Sequence, residues 1–159
     1  MTHLDDQTRL DDEERLDWLR LIRSDNVGPR TFHDLVSYCG GVRPALAALP
    51  GLARRGGSAQ SPRIFSREQA EAELKAARAA GVELFTLGDP EYPSRLKMIA
   101  DPPPVIAVRG KFDALVRPSI AIVGSRNASA AGVKFAKRIA RDLGGAGFAI
   151  VSGLARGID

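Results

Sequence analysis

Between Pro118 and Val151 the sequence sets out an apolar run, a glycine turn, an amphipathic stretch and a second apolar run, in that order. Ile120-Ala121-Ile122-Val123, bounded by Pro118 and Gly124, suits a buried parallel strand, because strands covered on both faces read as continuous apolar runs. Val133, Ala136, Ile139, Ala140 and Leu143 recur at helical spacing and predict a helix over 130–143. Gly144-Gly145-Ala146-Gly147 then leads into a second buried strand, Phe148 to Val151, and Phe112, Phe135 and Phe148 read as core. A strand, turn, helix and strand in succession make a parallel crossover, right-handed in nearly all cases. The predicted fold class is α/β.

The turn Gly124-Ser125-Arg126-Asn127-Ala128-Ser129 falls at the carboxyl end of the first strand and the amino end of the helix, where open α/β sheets bind their ligands. A helix amino terminus exposes unpaired N–H groups and about half a unit of positive charge, which favours an anionic phosphate. Gly124 lets the backbone approach closely, Ser125 and Ser129 add hydroxyl donors, and Arg126 suits a charge-assisted pair with phosphate oxygens. The second strand ends in Ser152-Gly153-Leu154-Ala155-Arg156-Gly157, another small loop carrying glycine and arginine. Both loops are expected to face one crevice, making Gly153, Arg156 and Gly157 candidate phosphate-binding residues. A plainer reading stays open, in which the glycines only permit tight strand exits and both arginines are solvated.

Charge supports a polyanionic partner only in combination with that geometry. The chain carries 23 basic and 19 acidic residues, and residues 111–159 hold eight bases against three acids. Lys134, Lys137, Arg138 and Arg141 sit at i, i+3, i+4 and i+7. A solvated helix face is the simpler explanation of that stripe, with Lys134 and Lys137 as candidate phosphate contacts beside the turn.

Several function classes are disfavoured. Only Gly124 of a G-x-G-x-x-G pattern is present, and Ser152 stands where a nicotinamide-cofactor fold would carry its ribose-binding acid. No P-loop sequence occurs. His3 and His33 have no nominated nucleophile, and with the single Cys39 they cannot complete a zinc site. No catalytic residue, cofactor or metal is expected. The amino-terminal stretch, with Asp5, Asp6, Asp11, Asp12, Glu13, Glu14 and Asp17, has neither a basic nor an apolar leader region, and no apolar run is long enough to span a membrane. A reducing cytoplasm is the expected compartment.

The amino-terminal part reads as helical. Leu16, Leu19 and Ile22 predict a helix near 12–23, capped by Asp11 or Asp12. Asn26-Val27-Gly28-Pro29 is a tight turn, and Phe32, Leu35, Val36 and Cys39 predict a second helix ending at Gly40-Gly41. A short third helix is expected near 43–49, starting at Pro44, with Arg54 to Arg63 as a linker. The predicted domains are therefore a helical unit, 1–60, and an α/β unit, 61–159. In the latter, Ser66 and Gln69 have capping-box spacing, Ala70, Leu74 and Ala77 form a buried stripe, and Gly81 closes the helix. Strands are expected at Val82–Leu87 and Val105–Val108, with a short helix near Ser94–Ile99 among five prolines.

Ile122-Val123-Gly124-Ser125-Arg126 and Ser152-Gly153-Leu154-Ala155-Arg156-Gly157-Ile158-Asp159 closely resemble the paired signatures of the bacterial DNA processing protein A family (DprA, also called Smf). Asp89-Pro90-Glu91-Tyr92-Pro93 with Leu96, then Asp101-Pro102-Pro103-Pro104 with Gly110, resemble that family's D-x-x-Y-P-x-x-L stretch and its proline-rich approach to the nucleotide-binding-like fold. The resemblance implies a sterile-alpha-motif-like helical domain followed by a Rossmann-like domain. It also implies a non-catalytic single-stranded DNA-binding protein of natural transformation, which protects incoming strands and helps load the RecA recombinase. By the same resemblance Gly124, Ser125, Arg126, Gly153, Arg156 and Gly157 belong to the pocket for the DNA backbone.

Two departures shape the expectations. The family's Rossmann-like domain continues beyond its S-G-L-A-R-G-I-D motif, where this sequence stops, so the sequence is expected to be a fragment, with the homodimer surface and further DNA contacts lying downstream. Asn26 stands where a DNA-binding helix-hairpin-helix would want glycine, so the helical domain is expected to be a protein contact or scaffold. The competing enzyme reading is a nucleotide hydrolase of the phosphoribohydrolase or lysine decarboxylase-like type, whose P-G-G-x-G-T loop is absent.

Overall fold

The structure is a computed structural model that describes residues 10–55 and 62–159. His3, the first acidic residues and the linker glycines Gly56 and Gly57 lie outside the described residues. The chain packs as two units, one running to Gly110 and the other from Lys111 to Asp159. The boundary expected near residue 60 thus falls inside the first unit.

Helix α1 (Asp12–Arg23) organises that unit. A complete capping box fixes its start: Glu14 N donates to Asp11 Oδ1 at 2.7 Å, and Asp11 N to Glu14 Oε2 at 3.1 Å. Acids fill its first turn and Arg20 and Arg23 its last, as the helix dipole favours. Asn26 then adopts φ +63°, a left-handed conformation that asparagine tolerates better than most residues. The turn therefore closes without glycine.

Helix α2 (Pro29–Cys39) starts with proline and ends at Gly40, φ +78°. Helix α3 (Val42–Arg55) is longer than expected, taking in Pro50 and the first two residues assigned to the linker. Burial outweighs the missing proline N–H. Ala45, Leu46 and Leu49 close a core with Leu21, Val27 and Phe32, and Trp18 lies 5.0 Å from the Phe32 ring.

A second core on α1 draws the following elements into the same unit. Leu16 and Leu19 pack with Ala70 of α4 (Arg67–Ala79), and Leu74, Leu84 and Val105 adjoin them. The Ser66–Gln69 capping box forms as its spacing predicts, and Gly81 turns the chain at φ +67°. Strands β1 (Val82–Thr86) and β2 (Val105–Arg109) pair antiparallel, with Val82 opposite Arg109 and Thr86 opposite Val105. Between them, α5 (Ser94–Lys97) stops short of the expected Ile99, leaving Met98 and Ile99 exposed.

The D-x-x-Y-P stretch braces this proline-rich loop. Asp89 is fully buried and accepts from Thr86 N (2.7 Å), Thr86 Oγ1 (2.9 Å) and Arg15 Nη2 (2.6 Å). Tyr92 donates its hydroxyl to the Pro103 carbonyl at 2.7 Å, and His33 Nε2 donates to the Pro102 carbonyl at 2.8 Å.

In the second unit, α6 (Asp113–Val116) precedes β3 (Ser119–Ala121), α7 (Ala130–Gly145) and β4 (Ala149–Val151). Strands β3 and β4 are parallel, Ile120 opposite Ile150, as the crossover pattern requires. Both are shorter than expected, α7 runs through Gly144 and Gly145, and Gly147 makes the turn at φ +94°. The expected double burial is not met: Val123 is 75% exposed, Val151 51% and Phe148 36%. Among the described residues of this unit, α7 is the long helix available to cover a two-stranded sheet, so much of the sheet stays open. Phe135, expected in the core, is 65% exposed, because Val133, Ala136, Ile139, Ala140 and Leu143 supply the half-buried stripe instead. No described helix is long and apolar enough to cross a membrane.

Candidate nucleic-acid interface

The parallel pairing of β3 and β4 brings the two glycine-rich segments to the same end of the sheet. They lock into one another. Ile158 N donates to the Ser125 carbonyl at 3.2 Å. A Cβ on Gly124 would stand 2.6 Å from the Ile158 Cβ, and one on Gly157 would stand 2.2 Å from the Ser125 oxygen and 2.8 Å from the Arg126 Cα. Glycine is needed at 124 and 157 by this loop-to-loop contact, and Ile158 fills the space where a Gly124 side chain would stand. Gly157 also has φ +104°, where a side chain is strained.

The serines play local parts. Ser129 is the N-cap of α7 and accepts from Gly132 N at 3.1 Å, while Ser125 Oγ accepts from Asn127 N at 3.2 Å. Each hydroxyl still has its own proton to donate. The Ala130 and Ala131 N–H groups of the first helical turn have no partner among the described residues, which leaves the anion-attracting end of the helix open.

Arg126 is exposed and pairs with no described residue, whereas Arg156 Nη2 donates to Asn127 Oδ1 at 2.8 Å. Lys134, Lys137, Arg138 and Arg141 are all exposed along α7, and Arg138 lies 3.8 Å from Asp142. Two partners escaped the sequence reading. Asn127 orients Arg156 across the loops, and Asp159 accepts from Gly124 N at 3.0 Å and Gly153 N at 3.3 Å. Both are short polar residues in glycine-rich turns, a signal that marks the turn without naming its distant partner. Among the described residues no group of three His, Cys, Asp or Glu is placed to hold a metal.

Comparison with known proteins gives the family. Residues 12–76 match the model of the DprA-like N-terminal HHH domain, and residues 83–159 match that of DNA recombination-mediator protein A. The chain belongs to the DprA/Smf family. It is 38% identical over 87 residues to the DNA processing protein DprA of Bacillus subtilis (strain 168), across 54% of this chain and 29% of that protein. It is 40% identical over 81 residues to the Protein Smf of Synechocystis sp. (strain ATCC 27184 / PCC 6803 / Kazusa), across 48% and 20%. With the DNA processing protein DprA of Streptococcus pneumoniae (strain ATCC BAA-255 / R6) the identity is 40% over 75 residues, across 47% and 26%. The matches thus span less than a third of the length of each of these relatives. The DprA/Smf assignment agrees with a helical first domain followed by small antiparallel and parallel sheets.

Proposed function

We propose that the interlocked loops form part of a site for the sugar-phosphate backbone of single-stranded DNA, in a protein that acts in DNA processing and recombination without catalysing a reaction. One observation carries the reading: the direct packing of Gly157 on Ser125 and Arg126 holds two exposed arginines, Arg126 and Arg156, on adjoining segments beside an open helix amino terminus. Guanidinium groups and free amides suit phosphate oxygens, and contacts to phosphate carry no base identity. Lys134 and Lys137 extend the positive surface along α7.

The names of the relatives support a DNA-processing role, and the family resemblance supports the finer parts of the proposal. These are preference for single strands, protection of incoming DNA in natural transformation, delivery to RecA and a homodimer in the whole protein. With no histidine in residues 111–159, general acid–base chemistry at the loops has no imidazole to use. A single cysteine and the absence of a membrane-crossing helix among the described residues are compatible with work in the cytoplasm.

The test is fluorescence anisotropy of a labelled oligothymidylate with the full-length protein and Arg126→Ala, at two salt concentrations and with duplex competitor. Salt-sensitive binding that prefers single strands and weakens in the variant is expected. Binding indifferent to Arg126, or release of base from a nucleoside monophosphate, would favour the phosphoribohydrolase reading instead.

A further inference from the structure

In a fold of this kind a phosphate is seated where the glycine turn at a strand exit meets the helix amino terminus. Here the strand-exit amides of Gly124 and Gly153 already hold an anion. Asp159 Oδ1 accepts from Gly124 N at 3.0 Å and Oδ2 from Gly153 N at 3.3 Å, so one carboxylate spans both loops. Its backbone oxygen accepts from Ser152 Oγ at 2.8 Å, and a Cβ on Gly153 would press on Oδ2 at 3.0 Å. The neighbouring Ile158 fills the space over Gly124 and reaches toward Gly132 in the first turn of α7. The carboxylate is thus seated by two amides.

We infer that Asp159 is a positioning and specificity residue, clasping the two loops and reserving the site for internal phosphodiesters over terminal phosphates. The inference rests on the single-stranded DNA reading above. A fixed carboxylate at the strand exits repels any incoming phosphate, and the repulsion grows with charge. A terminal monoester carries about −1.5 to −2 near neutral pH, while an internal diester carries a single charge. With the strand-exit amides occupied, a diester is left the other exposed contacts: Arg126, Arg156 and the Ala130 and Ala131 amides. A strand passing over these needs no seat at the strand exits.

The experiment uses the full-length protein, its Asp159→Asn and Asp159→Ala variants, a labelled oligothymidylate, and thymidine monophosphate as competitor. Circular dichroism and thermal unfolding establish that each variant is folded. Losing the clasp should weaken oligothymidylate binding about tenfold, the scale of a lost hydrogen bond to a charged group, while thymidine monophosphate becomes a better competitor. A purely structural role would move both ligands in the same direction. Parallel change, or none, overturns the inference and leaves the DNA reading standing, whereas wild-type protein that binds no oligothymidylate sinks that reading and this inference with it. A variant-free measurement guards against unfolding: the amide signals of Gly124 and Gly153 in the wild type should stay fixed as inorganic phosphate is added. Movement of those two signals on phosphate addition would show that the carboxylate is displaced, and the inference would fail.

Discussion

Gly157 presses on Ser125 so closely that a Cβ at position 157 would stand 2.2 Å from the Ser125 carbonyl oxygen. The obstacle is backbone, and φ at Gly157 is +104°, so neither residue can give way cheaply. Gly157→Ala is expected to destabilise by about 2 kcal/mol or more and to weaken DNA binding by parting the loops. Gly144→Ala is the control: Gly144 lies in α7, and a Cβ there meets nothing within 4 Å. That change should stabilise by roughly 0.5–1 kcal/mol. Thermal unfolding of the two variants, which should move in opposite directions, checks both.

Asp89 and Arg15 form the most deeply buried ion pair among those described, with Asp89 fully buried and the contact at 2.6 Å. Removing Arg15 leaves a buried carboxylate with only the two Thr86 donors, and removing Asp89 leaves those donors unmatched. Asp89→Ala or Arg15→Ala should each cost about 3 kcal/mol, read as a lower urea midpoint with an unchanged slope. The double variant should lose less than the sum, because each single change already destroys the pair.

Tyr92 provides a pH-dependent prediction. It is 2% exposed, its hydroxyl donates to the Pro103 carbonyl, and burial raises its pKa above the ordinary tyrosine value. The folded state therefore favours the neutral phenol. Its contribution is fully present below about pH 10, where unfolded tyrosine begins to ionise, and is lost as pH rises through the higher folded value. Tyr92→Phe should cost about 1 kcal/mol at neutral pH through the lost hydrogen bond. It should also flatten the alkaline fall in stability, as measured by urea midpoints at about pH 8 and about pH 10.5.

Local signals in the sequence carried most of the fold. The helix start capped at Asp11, the capping box at Ser66 and the stop at Gly40 depend on residues a few positions apart, the crossover from Ile120 to Val151 on a longer run of pattern, and each forms. What stayed hidden depends on distance. Pro50 looks like a helix end until Leu46 and Leu49 find Phe32, and α4 with the β1–β2 pair looks like part of the second domain until Ala70 packs on Leu16 and Leu19. At the candidate site, Gly124, Gly153 and Gly157 stood out at once. Their reason, contact with Ile158, Asp159 and Ser125, requires the register of the strands at Ile120 and Ile150, which the crossover pattern alone does not supply. Phe135 shows the opposite failure: helical periodicity places it beside the apolar stripe, and only the absence of a described neighbour leaves it open.

The arginines of the loops should respond differently to substitution. Arg126 bonds to no described residue, so Arg126→Ala removes a free cation and leaves the loops intact. Arg156 is tied to Asn127 at 2.8 Å, so Asn127→Ala should free Arg156 without changing the charge. If each arginine meets one phosphate, Arg126→Ala and Arg156→Ala should each reduce the slope of log K against log salt by about 0.7, the single-strand value per phosphate. Asn127→Ala should weaken binding while leaving that slope unchanged, because no cation is lost. Lys134→Ala and Lys137→Ala test how far along α7 the strand runs: a slope reduced by about 0.7 marks a phosphate contact, and an unchanged slope marks a solvated lysine. Anisotropy titrations of the full-length variants over a salt series separate these cases, and an unchanged slope in both arginine variants would place the DNA elsewhere on the protein.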